Sequence, residues 1–147
     1  MSKKIAIFPG SFDPYTIGHH DILTCGLQLF DEIIIGIGTN YQKQATENVE
    51  ERIKHIQDIY KNQAQVRVEA YQGLTVDFAK KHNAAFILRG VRSVQDFEYE
   101  RNIAEINKQL SGIETILLYT NNQYAHVSSS LVRELQAHGK DVKALLP

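Results

Sequence analysis

Directly after the apolar run Ile5-Ala6-Ile7-Phe8 comes Pro9-Gly10-Ser11-Phe12-Asp13-Pro14, and Thr16-Ile17-Gly18-His19 follows at once. A strand that leads through a glycine and a hydroxyl into a helix opening on Gly-His brings together backbone N–H groups, a small side chain and an imidazole. That set of groups suits a phosphate. Gly10 lets the backbone approach a ligand closely, Ser11 offers a hydroxyl, and Asp13-Pro14 sets a turn before the helix. The positive end of the helix dipole disfavours an imidazolium, so His19 is expected as a neutral donor to phosphate oxygen. Taken alone, Pro-Gly-Ser is a plain strand exit and one histidine is more often structural; the joint pattern is what points to a nucleotide.

Two further segments offer anion chemistry. Arg89-Gly90-Val91-Arg92 ends an apolar strand with two guanidinium forks around a glycine, and such forks match phosphate oxygens with more directional control than lysines do. Asp96 and Glu100 lie four apart on the helix that follows, a like-charge pair that needs an offsetting partner or solvation. Ser128-Ser129-Ser130 opens the last helix with three hydroxyls where free N–H groups gather, although one serine would suffice as a cap. The glycine pattern matches neither the dinucleotide fingerprint nor the Walker loop. A zinc site is excluded as well: there is one cysteine, and His20 lies about 100° round the helix from His19.

These residues need a scaffold that brings them to one place. Five apolar bursts, at Ile5 to Phe8, Ile33 to Ile37, Val66 to Val68, Ala85 to Leu88 and Thr115 to Leu118, alternate with helical stretches. Ile22, Leu23, Gly26, Leu27 and Phe30 recur at spacings of three and four, as do Val49, Ile53, Ile56 and Tyr60. Asn48 reads as the cap of one helix, and Ser93-Val94-Gln95-Asp96 as a capping box ahead of Phe97, Ile103, Ile106 and Leu110. The pattern predicts an α/β fold, a Rossmann-like, doubly wound, five-stranded parallel sheet with helices on both faces. Ligands of such folds sit beyond the carboxyl ends of the strands, where strand order reverses, and the polar residues above do follow strands.

The 147 residues fit one domain spanning 1–147, with 43% hydrophobic and 22% charged residues. Sixteen Lys and Arg against seventeen Asp and Glu give a net charge of −1, so no global positive field argues for nucleic acid or an anionic membrane. The apolar runs are too short to span a bilayer, and Met1-Ser2-Lys3-Lys4 leads into a strand, which suggests a cytoplasmic protein. The single cysteine, Cys25, fits a reducing compartment, and its neighbours Ile22, Gly26 and Leu29 assign it to packing. His55, His82 and His138 read as surface residues.

Pro-Gly-Ser-Phe-Asp-Pro followed by Thr16-x-Gly18-His19 resembles the nucleotidyltransferase superfamily marked by a (His or Thr)-x-Gly-His signature. Arg89-Gly-x-Arg92 with Phe97-Glu98-Tyr99-Glu100 narrows the resemblance to the phosphopantetheine adenylyltransferases, and it extends from Ile5 to Pro147. Within that likeness Ser11 stands for a threonine and keeps the hydroxyl, while Ala125-His126 stands for Ser-Phe. The resemblance implies adenylyl transfer from ATP to 4′-phosphopantetheine, giving dephospho-coenzyme A and pyrophosphate. It implies catalytic roles for His19, Lys43 and Arg92. ATP would be bound by Ser11, Phe12, His19, Gly90, Val91, Arg92 and Glu100, with Tyr124, Ala125, His126, Val127, Ser128, Ser129 and Ser130. The phosphopantetheine side would fall to Ser11, Lys43, Thr75 and Arg89. It further implies Mg2+ carried mainly by the nucleotide, a homohexamer, and coenzyme A as a feedback inhibitor. Two readings stand beside it: another nucleotidyltransferase of the superfamily, acting on a nicotinamide nucleotide or with CTP, and a non-catalytic module that senses ATP or coenzyme A.

Overall fold

All five bursts become strands: β1 (Ile5–Gly10), β2 (Glu32–Gly38), β3 (Val66–Tyr71), β4 (Phe86–Val91) and β5 (Glu114–Tyr119). The computed structural model describes residues 2–39 and 48–147. Every neighbouring pair is parallel, in the order β3-β2-β1-β4-β5. The helices between them are α1 (Ile17–Gly26), α2 (Val49–Ile59), α3 (Thr75–Lys81), α4 (Val94–Ser111) and α5 (Ser129–Ala137). Each strand runs on past its apolar burst at the carboxyl end, because backbone pairing continues to the rim after the need to bury side chains on both faces has ended.

Alternate residues of the central strands feed two different cores. Ala6, Phe8, Ile33, Ile35, Ile37 and Leu88 pack with Ile22 and Leu23 of α1 and Ile56 of α2. Ile7, Ile34 and Ile87 face the other way, onto Val76, Phe78 and Ala79 of α3. Burial on both faces is why these strands read as continuous apolar runs rather than as alternations. A third, smaller cluster joins Val127, Val132 of α5 and Val142, with Ile17 of α1 packed against it.

Local signals explain most helix starts. The Asn48 side chain accepts from the Glu51 N–H at 2.8 Å, Ser93 Oγ from Asp96 N–H at 3.1 Å, and Ser128 Oγ from Leu131 N–H at 3.1 Å. The box at Ser93 is not reciprocal: Asp96 accepts instead from the Arg92 N–H at 3.2 Å. At the other end of α4, Gly112 adopts a left-handed φ of 77° and its N–H caps Lys108.

Five features depart from the sequence reading or add to it. Helix α3 carries no side-chain cap at Leu74 and spans seven residues, so no signal marked it. Cys25 is exposed rather than packed, because the buried side of α1 runs through Gly18, Ile22, Leu23 and Gly26. His82 is no surface residue: it sits against the Phe78 ring, with Nε2 3.3 Å from Glu69. His138 is exposed but partnered, donating from Nδ1 to the Glu134 carbonyl at 2.9 Å. Among the described residues the apolar side chains of α4 are also left uncovered, with Phe97 43%, Ile106 56% and Leu110 60% exposed.

Candidate active site

Strand β1 lies between β2 and β4, so the chain winds outward in opposite directions on either side of the β1–β4 seam. A crevice must open above the carboxyl ends of that pair. There the structure has a cavity of about 360 Å³, bounded by Gly10 to Phe12, His19, Arg89, Gly90, Arg92 and the Val127–Ser129 segment.

The loop leaving β1 is held from behind. Phe12 has a left-handed φ of 48°, a costly conformation for a bulky residue. It is 3% exposed, and its ring meets those of Phe8, Tyr15 and His19 edge-on, so aromatic burial offsets the backbone cost. The same ring explains Gly10, where a Cβ would come within 2.8 Å of Phe12 Cζ. Buried Arg52 of α2 donates to the Ser11 carbonyl, and Arg133 of α5 donates to the Asp13 carbonyl at 2.6 Å.

His19 owes its orientation to the helix start. Thr16 is the N-cap and His19 the third helical residue; the Thr16 N–H donates to His19 Nδ1 at 2.9 Å while Thr16 Oγ1 accepts from the His19 N–H at 3.4 Å. This is a capping box with histidine in the usual place of glutamate, and it gives the Thr-x-Gly-His spacing a geometric reason. A backbone N–H can only donate, so Nδ1 is the acceptor and the ring proton belongs on Nε2. Burial, reinforced by the positive fields of Arg89 and Arg92, holds the imidazole's pKa down to about 3. His19 is thus a neutral Nε2–H donor.

Both arginines are braced by carboxylates of α4. Arg89 meets Glu100 with two bonds, Nε to Oε2 at 2.9 Å and Nη2 to Oε1 at 2.6 Å, while Nη1 donates to the Pro9 carbonyl at 2.7 Å. Burial works against the Arg89 cation, but its bonds and charge attraction to Glu100 prevail and raise its pKa. Arg92 pairs with Asp96 at 3.2 Å and reaches the Val127 carbonyl at 3.4 Å. The like charges at Asp96 and Glu100 are therefore each offset by an arginine. Of the five N–H donors on a guanidinium, three of Arg89 are engaged, which leaves a fixed edge for a ligand.

A second cavity of about 200 Å³ adjoins the first, and Arg89, Glu100 and Tyr99 line both. Its far side carries Thr75, whose hydroxyl is 2.8 Å from that of Tyr71.

The structure thus gathers Ser11, Phe12, His19, Arg89, Gly90, Arg92, Glu100, Val127, Ser128 and Ser129 around one cavity, and Thr75 around its neighbour. Val91 is 3% exposed and lines neither, and Tyr124, Ala125, His126 and Ser130 stand back from both. All three serines are engaged: Ser128 caps α5, Ser129 Oγ donates to the Pro14 carbonyl at 2.7 Å, and Ser130 Oγ accepts from Arg133 Nη2 at 3.3 Å. Lys43 lies outside the described residues. Sequence reasoning passed over Thr120 and Tyr99, which also line the crevice. Thr120 directly follows β5, the position that exposes a residue to the rim, and that signal was available.

The cytidylyltransferase-like family model matches residues 7–135. Among curated relatives, a phosphopantetheine adenylyltransferase of Christiangramia forsetii is 49% identical over 144 residues, covering 98% of this chain and 95% of its own. One from Bacteroides fragilis is 49% identical over 97% of this chain and 95% of its own. One from Porphyromonas gingivalis is 47% identical over 100% of this chain and 96% of its own. The match runs through the β1 loop, the Gly-His helix start and the Arg89–Arg92 rim alike. The chain belongs to the cytidylyltransferase-like family and, within it, to the phosphopantetheine adenylyltransferases.

Proposed function

We propose that this chain transfers the adenylyl group of ATP to 4′-phosphopantetheine, forming dephospho-coenzyme A and releasing pyrophosphate, a step of coenzyme A biosynthesis. The observation that carries the reading is the pair of adjoining cavities with the Arg89–Glu100 wall between them, His19 and Arg92 on one side and Thr75 on the other. Two phosphorylated substrates meet there end to end. An oxygen of the phosphopantetheine phosphate forms a bond to the α-phosphorus of ATP as the bond to the departing pyrophosphate oxygen breaks. The attacking group is already an anion, so alignment and charge stabilisation do the work and no general base is required.

In this reading the His19 Nε2–H donates to the α-phosphate, where charge builds in the transition state. Arg92 and the Ser128 end of α5 hold the nucleotide phosphates, with Phe12, Gly90 and Val127 beside them. Arg89, Ser11 and Lys43 hold the acceptor phosphate, and Thr75 lies along the pantetheine arm. Val91, Tyr124, Ala125, His126 and Ser130 support the nucleotide from behind the cavity wall. Mg2+ enters as part of the nucleotide substrate, because Asp96 and Glu100, the carboxylates on the cavity wall among the described residues, are both committed to arginines. The exposed apolar side chains of α4 favour self-association, and the family resemblance makes the assembly a homohexamer. No helix among the described residues is long and apolar enough to cross a membrane, and the proposed biosynthetic step places the chain in the cytoplasm. Coenzyme A shares the pantetheine arm and therefore competes for the second cavity.

The test offers the purified protein ATP or CTP with 4′-phosphopantetheine or nicotinamide mononucleotide and measures pyrophosphate. Release that needs both ATP and 4′-phosphopantetheine is expected. Release with another pair would assign a different acceptor, and binding of ATP without any release would make the chain a sensor.

A further inference from the structure

The aromatic side chains behind His19 form a connected set that the transfer chemistry itself does not require. Tyr15, 4% exposed, stacks on the His19 ring with centroids 5.3 Å apart and planes at 29°. Its hydroxyl meets the Tyr60 hydroxyl at 2.7 Å, and Tyr60 in turn meets His20 Nδ1 at 2.8 Å. Tyr60 also stacks on His20, at 5.6 Å and 25°. The capping box fixes one edge of the His19 ring but leaves rotation about that edge to whatever packs on its faces.

We propose that Tyr15, Tyr60 and His20 form a positioning device that ties helix α2 to helix α1 and sets the plane of the His19 imidazole, and hence the aim of its Nε2–H. Phe8 and Phe12 meet the ring edge-on at 6.4 and 4.9 Å, and Tyr15 is the aromatic stacked on its face, so Tyr15 decides its tilt. Burial keeps both phenols protonated, Tyr15 well above its ordinary range, so the Tyr15–Tyr60 link persists as a hydrogen bond between neutral hydroxyls. Tyr60 lies at the end of α2, far along the chain from the phosphate loop, and lines neither cavity of the crevice. Its influence on turnover must therefore pass through its two contacts on the His19 side, Tyr15 and His20.

The inference rests on the proposed adenylyl transfer for its kinetic readout, and a spectroscopic one stands apart from it. Tyr60→Phe removes both hydroxyl contacts and keeps the ring. It is expected to lower kcat about three- to tenfold with KM for ATP and for 4′-phosphopantetheine within twofold, and to shift the His19 imidazole 15N resonances in labelled protein. In a His19→Ala background the same substitution is expected to cost nothing further. His20→Leu, at a partly exposed position, gives a milder loss in the same direction and serves if Tyr60→Phe folds poorly. A loss of kcat that is equal with and without His19, or a lowered Tm with kcat and the His19 resonances unchanged, would overturn the proposal. If the unmodified protein releases no pyrophosphate, the functional reading fails while the resonance shift still decides the positioning role.

Discussion

His19 carries its proton on Nε2 because a backbone N–H occupies Nδ1, and it stays neutral because burial and two arginines oppose a charge there. A neutral donor gains strength only when negative charge grows on its acceptor, so its contribution falls on the transition state. His19→Ala is expected to lower kcat about 100- to 1,000-fold with KM for ATP changed little, read by steady-state kinetics. Glu100→Gln acts differently, since it leaves the Arg89 guanidinium without its counter-charge. The variant should unfold in denaturant with a loss of roughly 2–4 kcal/mol and raise KM for 4′-phosphopantetheine more than KM for ATP. An unchanged unfolding midpoint would mean that the Arg89–Glu100 pair contributes nothing net.

The elements that carry the site depend on close approaches that only small residues permit. In β2, a Cβ at Gly36 would come within 2.8 Å of Phe78 Cε2 and 3.0 Å of Tyr71 Cε1, two rings stacked 4.4 Å apart under α3. Gly36→Ala improves strand propensity yet should destabilise by about 1–3 kcal/mol, because rigid rings must move, and it should disturb Thr75 through its bond to Tyr71. Thermal and denaturant unfolding read the sign. This scale also shows what was legible beforehand. Strands β1, β2 and β4 could be read because both faces are buried, the edge strands β3 and β5 from their short apolar bursts, and three helix caps because Asn48, Ser93 and Ser128 announce them. Helix α3 starts on Leu74 without a polar cap, and Cys25 sits one residue off the buried side of α1, a distinction finer than spacing resolves. The capping role of Thr16 was hidden because histidine stands where glutamate or glutamine marks the motif.

At the scale of the whole molecule, stability and assembly follow from the same placements. The folded chain holds the His19 pKa near about 3 against an ordinary 6.5, so below pH 6.5 the unfolded chain takes up a proton that the folded chain refuses. Stability should fall as pH drops through that window, by at most about 1.4 kcal/mol per pH unit for this one group. Replacing His19 by Gln should flatten the acid limb of Tm against pH and leave Tm above pH 7 insensitive to pH on this account. Ile106→Glu with Leu110→Glu places charge in the exposed apolar face of α4, and on the proposed self-association should give monomers in sedimentation velocity. The β1–β4 crevice aligns two phosphorylated molecules for one direct displacement. Adenylyl transfer from ATP bearing a chiral phosphorothioate at the α-phosphorus tests it most directly. Inversion of configuration is the result the geometry demands, and retention would require a nucleotidyl-enzyme intermediate and contradict the account.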